Sequence, residues 1–223
     1  DERKGYDLSK TSNETELRER LYAFTIRRTK YDPEVQRSLP KTTRSVLRVE
    51  GRENAAAGAA AEVAADCARG GGKAIVFAYY RETASIALSE VKSLLGERDD
   101  VEIALATGAD SASSRASLVH RLNGLDHGAV LCATIDSIGM GLELSAFDEV
   151  AFCELHYVPT RILQAEERLY AVGRERPIGI HYCVVKGTDD EHVADLVCDK
   201  LTQMETVMGE DVAAEGLSRA LSS

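Results

Sequence analysis

The five cysteines of this chain (Cys67, Cys132, Cys153, Cys183, Cys198) stand singly, with no C-x-x-C pair, and its five histidines are equally scattered. Clustered thiols and imidazoles are what zinc sites and disulfide scaffolds require, so neither is indicated and no metal site is expected. Three of the cysteines lie in apolar runs, AVLCAT, VAFCEL and IHYCVV. There a thiol serves as a small core hydrophobe. No apolar run approaches the roughly 20 residues of a membrane-spanning helix. The opening DERKGYDLSK has neither an apolar signal-peptide core nor an initiator methionine. The chain therefore reads as intracellular, cytoplasmic in a prokaryote or a virus-infected cell or nuclear in a eukaryote, and as a piece of something longer. No internal repeat is visible.

What is present is an ordinary globular balance: 44% apolar and 29% charged residues over 223 positions, enough for one large domain or for a domain with an appendage. A net charge of −10 argues against indiscriminate nucleic-acid binding, but the charge is uneven. Residues 1–52 hold 13 Lys and Arg against 9 Asp and Glu, and the remainder 14 against 28. A basic front on an acidic body permits local phosphate contacts.

From about Ser45 the pattern alternates. SVLRVE reads as a strand and NAAAGAAAEVAADCARGGG as an alanine-rich helix closed by glycines. KAIVFAYY, VEIALATG, GAVLCAT, DEVAFCEL and IGIHYCVV read as further strands. Helices are expected over RETASIALSEVKSLLG, SASSRASLVHRLNG, PTRILQAEERLYAVG and TDDEHVADLVCDKLTQMETVMG. Continuous apolar strands alternating with helices predict an α/β three-layer domain with a mostly parallel sheet. Ligands on such sheets gather beyond the strands' C-terminal ends, here the loops after Phe77, Ala106, Thr134 and Glu154. The expected division is a helical and extended connecting segment over 1–44, the domain over 45–210 and a tail over 211–223.

A glycine-rich phosphate loop ending in Gly-Lys-Ser/Thr is missing. GGGKA at Gly70–Ala74 precedes a strand, where its amides cannot open a helix toward phosphate, and reads as a helix–strand turn.

Four segments supply a context for that gap. LRERLYAFTIRRTKYDPEVQRSLPKT resembles the bridge of Swi/Snf-type DNA-dependent ATPases. KAIVFAYYRETASIAL resembles the opening of their second RecA-like lobe. ATIDSIGMGLELSAFDEVAF resembles their fifth helicase motif, and QAEERLYAVGRERPIGIHYCVVKGTDDE their sixth with the strand that follows. FCELHYVPT and GIHYCVVKGT lean toward the annealing-helicase branch. The resemblance runs from about Leu17 to Glu191. It implies a RecA-like second lobe whose ATP and Mg2+ are held mainly by an N-terminal RecA-like lobe outside this chain. Double-stranded DNA is the implied partner, and no membrane.

By that resemblance Arg168 is a finger that offsets charge on phosphoryl oxygens, and Gln164 positions it. With Ala171 they share one helical stripe at i, i+4 and i+7, and Ala171 stands where the family carries a second arginine. Gly139 and Gly141 permit close backbone approach to a ligand; Glu143 is either a polar residue near the nucleotide or a plain loop carboxylate. Tyr79, Tyr80 and Arg81, then Thr107 and Gly108, are candidates for contact with DNA phosphates. Thr134 either turns its hydroxyl to a phosphate or is a satisfied strand-end threonine. Arg115 is a candidate of the same kind, with a structural role as the alternative. Arg27, Arg28 and Lys30 are read as DNA contacts, a solvated face, or packing against the other lobe. Arg174 and Arg176, beyond Gly173, have surface roles or, for Arg174, replace the missing arginine. Three functions stand open: the second lobe of a DNA translocase, a non-catalytic DNA- or partner-binding module, and an unwinding helicase lobe, the last disfavoured by the RRTK…LPKT bridge.

Overall fold

The computed structural model describes residues 38–51, 54–138 and 142–208, together with Glu16 and Arg20. The latter two are helical and paired across one turn at 2.6 Å. Six strands follow in chain order: β1 (Thr42–Val49), β2 (Lys73–Ala78), β3 (Val101–Ala106), β4 (Gly128–Thr134), β5 (Glu149–Phe152) and β6 (Ile178–Val185). Among the described residues from Ser38 on, a helix follows each strand except β4: α1 (Ala55–Arg69), α2 (Arg81–Leu95), α3 (Ala112–Asn123), α4 (Pro159–Glu167) and α5 (Asp189–Met208). The strands form one sheet in the order β1-β6-β5-β2-β4-β3, and every recorded pairing is parallel. This is the α/β layered fold expected from the alternation. One boundary moves: β1 begins at Thr42 rather than Ser45, because Thr42 already pairs with Ile178.

Strand alternation sorts the core into two halves. Ile75, Phe77, Leu131, Val150, Phe152 and Tyr182 face α3, α4 and α5. Val76, Ala78, Val130, Cys132, Cys153 and Cys183 face α1 and α2. On the first face the rings of Phe77, Phe152 and Tyr182 stack in succession at 5.3 and 5.5 Å. Each such pair adds about 0.5–1.5 kcal/mol beyond area burial.

On the second face small side chains set the spacing. Seven alanines of α1, among them Ala57, Ala61 and Ala65, are buried, so the helix lies close against the sheet. At Gly128 a Cβ would come 2.3 Å from the Ala68 carbonyl oxygen, so only glycine fits there. The cysteines behave as core hydrophobes: Cys132, Cys153 and Cys183 are buried, while Cys67 is partly exposed. Burial pushes the Cys132 and Cys183 thiols up to about 12.

Two caps follow the expected chemistry. Ser111 accepts from the Ser114 N–H at the start of α3 (3.1 Å). Before α5, Thr188 accepts from the Asp190 N–H (3.3 Å) while Glu191 accepts from the Gly187 N–H (2.9 Å), so two backbone donors at this end are satisfied by side chains.

Candidate functional site

Three strand ends stand side by side, because β4 lies between β2 and β3 with Thr134 opposite Ala78 and Ala133 opposite Ala106. This brings the loops bearing Tyr80 and Arg81, Thr134, and Thr107 and Gly108 into one row. The Ile135 N–H donates to the Ala78 carbonyl (3.0 Å), and the Ser137 hydroxyl to that of Ala106 (2.9 Å), stitching the row together.

The hydroxyls are less available than the sequence suggested. Thr134 is buried. The Thr107 hydroxyl accepts from the Ala109 N–H (3.3 Å), and Asp110 accepts from the Thr107 N–H (2.8 Å), closing a local turn. Arg115 donates to the carbonyls of Thr107 (3.3 Å) and Asp110, so its guanidinium braces this loop, with its Nε buried and unpartnered. Gly108 is exposed, with open space where a side chain would be.

At the β2 end the backbone donors are already taken. One oxygen of Glu154, just beyond β5, accepts from the Tyr79 and Tyr80 N–H groups, each at 2.9 Å. The other accepts from the Thr83 hydroxyl at 2.7 Å. Tyr80 is the N-cap of α2 but supplies no side-chain cap, so Glu154 performs that task from a neighbouring strand. Loop amides expected to meet a phosphate are thus engaged by a carboxylate, while the rings of Tyr80 and Tyr157 stay exposed. Tyr79 holds its ring edge-on to Tyr80 (4.6 Å) and His156 (4.9 Å).

A cavity of about 750 Å³ opens there, lined in part by Glu82, Glu154, Asp189 and Asp190, with no cationic side chain among the described lining residues. Burial, with Glu154 and Asp189 adding repulsion, raises Asp190 above the usual carboxylate range against the pull of its Val185 and Thr188 hydrogen bonds.

The second group of candidates lies where α4 ends. Pro159 opens this helix at its first turn, and Ile162, Leu163 and Ala165 bury one face. The helix stops at Glu167, with Arg168 as its C-cap at φ −70° and ψ −17°. The expected helix to Gly173 is therefore a correction, and so is the three-residue stripe. Gln164 and Arg168 keep their i, i+4 relation, but Ala171 lies in the turn beyond. The reason is competition for carbonyls. The Leu169 N–H bonds to Glu166 and the Tyr170 N–H to Glu167, tightening the last turn, while the Arg168 carbonyl accepts from the Leu144 N–H (3.0 Å). Gly173, at φ +82°, then turns the chain, and its N–H donates to the Ser38 carbonyl (3.1 Å).

That Leu144–Arg168 bond joins the segments resembling the fifth and sixth motifs. Gln164 is exposed and Arg168 half-buried, with burial lowering the Arg168 guanidinium from its ordinary range. Glu143 is exposed; its Oε1 accepts from the Ser145 hydroxyl (2.5 Å) and its carbonyl from Asn123 (2.8 Å). Gly139 and Gly141 lie outside the described residues, as do Arg27, Arg28 and Lys30.

Arg174 is the one candidate whose alternative is decided against. Its side chain is 6% exposed, pairs with Asp148 at 3.0 Å and donates to the Ser145 carbonyl. Arg176 binds the same carboxylate at 3.1 Å. Both arginines brace the approach to β5.

Sequence reading missed a buried charge beneath this group. Glu166 is wholly buried, and its Oε2 accepts from Arg44 Nη2 at 2.7 Å and Nε at 3.1 Å. The Tyr182 hydroxyl donates to Oε1, and Arg44 also donates to the Tyr170 hydroxyl at 3.0 Å. Burial works to lower Arg44, but Glu166 first and then the two tyrosines outweigh it and hold the guanidinium above its ordinary range. Burial, then Glu166, pushes the Tyr182 phenol well up. The signal was present in the sequence: Glu166 falls on the apolar stripe of Ile162, Leu163 and Leu169, where a carboxylate demands a partner.

Residues 59–173 match the helicase conserved C-terminal domain family. The SWI/SNF-related matrix-associated actin-dependent regulator of chromatin subfamily A-like protein 1 of Xenopus tropicalis is 33% identical over 129 residues, 58% of this chain and 13% of that protein. The human DNA annealing helicase and endonuclease ZRANB3 is 35% identical over 83 residues, 37% of this chain and 8% of that protein. These relatives bear out the Swi/Snf resemblance and its lean toward the annealing branch. In structure, Mss116p DEAD-box helicase domain 2, solved bound to an RNA duplex, matches with a TM-score of 0.51 at 15% identity, over 80% of this chain and 79% of that one. That likeness shows the fold alone. This chain thus spans a small fraction of the curated relatives it matches.

Proposed function

Because this chain belongs to the helicase conserved C-terminal domain family, we propose that it is the second motor lobe of an ATP-driven translocase on double-stranded DNA. The observation that carries the reading is the Leu144–Arg168 bond, which fastens the fifth-motif segment to the end of the helix bearing Gln164 and Arg168. An exposed amide one turn before a partly desolvated guanidinium fits phosphate oxygens. By the Swi/Snf resemblance, Mg2+ is assigned mainly to the other lobe. When bound between the lobes, ATP and Mg2+ supply the reacting phosphoryl group and most of its charge neutralisation. Arg168 adds a fixed positive charge beside that group, and Gln164 restrains its direction. Glu143, next to Leu144, borders the same place.

DNA runs along the strand-end row, held by Arg81, Gly108 and the surroundings of Tyr80, Thr107 and Thr134. Since Glu154 caps the Tyr79 and Tyr80 amides, contact at the β2 end falls to the Tyr80 ring and the Arg81 side chain rather than to backbone donors. Backbone-type contacts of this kind are largely sequence-independent and weaken with salt. Among the described residues no helix is long and apolar enough to cross a membrane. Eukaryotic relatives named for chromatin favour the nucleus over the cytoplasm.

The test is ATP hydrolysis by this chain joined to the nucleotide-binding lobe of its own protein. Arg168→Ala should lower DNA-stimulated turnover about 10³-fold or more, with DNA affinity little changed, and the 223-residue chain alone should show none. Turnover by the chain alone, or full turnover by Arg168→Ala, sinks the reading. Two features favour a second reading, a non-catalytic binding module: alanine at 171 and the acidic surroundings of Tyr80. No DNA-stimulated turnover from the joined protein, with or without Arg168, selects it.

A further inference from the structure

The Arg44–Glu166 pair is an expensive way to fill a core. Removing both charges from water costs several kcal/mol per ion, and apolar residues of similar volume often replace such pairs without loss. What an ion pair of this geometry supplies that apolar contacts do not is direction. Two guanidinium nitrogens converge on one carboxylate oxygen at 2.7 and 3.1 Å, and a tyrosine hydroxyl closes the other. A planar fork accepts few such arrangements, whereas methyl groups slide.

Its location gives that direction a use. Arg44 grips Glu166 and Tyr170, the residues two before and two after Arg168. It lies on β1, which among the described residues pairs only with β6, so the strand is free to answer to this contact. The same stretch of chain holds the turn from beyond: Ser38 accepts from the Gly173 N–H (3.1 Å) and Lys41 from the Ile178 N–H (2.9 Å). Arg168 therefore sits in a span clamped at three points by residues 38–44. We propose that Arg44 and Glu166 are positioning residues, through which edge strand β1 sets the register of α4 and of the 168–173 turn, and so the orientation of Arg168. The catalytic half of this inference rests on the reading of Arg168 above.

The experiment separates filling from positioning. Hydrogen exchange and thermal unfolding of the full chain are compared for wild type, Arg44→Met, the double variant Arg44→Met/Glu166→Met, and Arg44→Lys. Arg44→Met strands a buried carboxylate and should melt lower. The double variant should recover the wild-type melting temperature, yet the amides of Leu144, Leu169, Tyr170 and Gly173 should exchange faster by about tenfold or more, with β2 and β4 unchanged. In the two-lobed protein its kcat should fall on the order of tenfold to a hundredfold, while KM for ATP holds within about twofold. Arg44→Lys keeps the charge, loses the fork, and should lie between. Full recovery of both melting and protection in the double variant overturns the proposal. If the double variant does not fold, Arg44→Lys decides, and wild-type exchange in it is equally fatal. A loosened turn with unchanged kcat overturns the catalytic half. Arg168→Ala, measured alongside, shows whether the fault then lies with the finger itself.

Discussion

Glu154 offers the most direct check on how the strand-end row is built. Replacing it with alanine removes one carboxylate and strands three donors: the Tyr79 and Tyr80 N–H groups and the Thr83 hydroxyl. Loss of a capping side chain costs about 0.5–2 kcal/mol. Loss of a negative charge at a helix N-terminus adds about 0.3–1 kcal/mol. Water reaches Tyr80, which is exposed, so that amide is not left bare and the sum stays below three full hydrogen bonds. Relief of repulsion on Asp190, which Glu154 helps to raise, subtracts a little more. The expected net loss is about 2 kcal/mol, or about 4–8 °C in melting temperature for a domain of this size.

Thermal and urea unfolding of the chain give the number directly. Glu154→Gln, whose amide oxygen still accepts, should lose about half as much. The alanine variant also frees a helix N-terminus for anions. Its binding to duplex DNA, followed by fluorescence anisotropy across a salt series, should strengthen at low salt and fall more steeply as salt rises. A melting temperature within about a degree of wild type for both variants would refute the capping argument. Unchanged DNA binding by a destabilised Glu154→Ala would refute the link to phosphate.

Ala171→Arg in the two-lobed protein should raise DNA-stimulated ATP hydrolysis by roughly 10³–10⁵-fold with little change in DNA affinity; equal turnover would show that this position is not the second finger. Asp190→Asn should stabilise the chain near neutral pH and not in acid. The folded state holds the Asp190 proton more tightly than the unfolded chain, so stability falls as pH climbs from the ordinary carboxylate range through the raised folded value, and the amide abolishes that loss. An advantage that persists below the ordinary carboxylate range would contradict the sign. Cys132, Cys153 and Cys183 are buried with thiols held well up. Mapping by mass spectrometry should find them unmodified by iodoacetamide at pH 8 until the chain is unfolded.

The layered fold was legible because it depends on local periodicity. Apolar runs of four to eight residues between helical patterns have few alternatives to parallel strands, and the caps at Ser111 and Thr188 need only neighbours in sequence. The family segments were legible for the same reason, as short stretches in a set order. The strand order β1-β6-β5-β2-β4-β3 was not, since nothing local says which strands touch.

At the site the dividing line is the same. The candidates on the row and on α4 came from their own segments, but what holds them came from elsewhere. Glu154 reaches the α2 terminus across some 71–75 residues, and Arg44 reaches Glu166 across 122. The Leu144 amide ends α4 by taking the Arg168 carbonyl, against a helical pattern that runs on to Gly173. Sequence alone determined the layers and the residue types available for phosphate. Tertiary structure decided which of their donors and charges were already taken, because a hydrogen bond is satisfied by whichever partner the packed sheet brings within 3 Å, however distant in the chain.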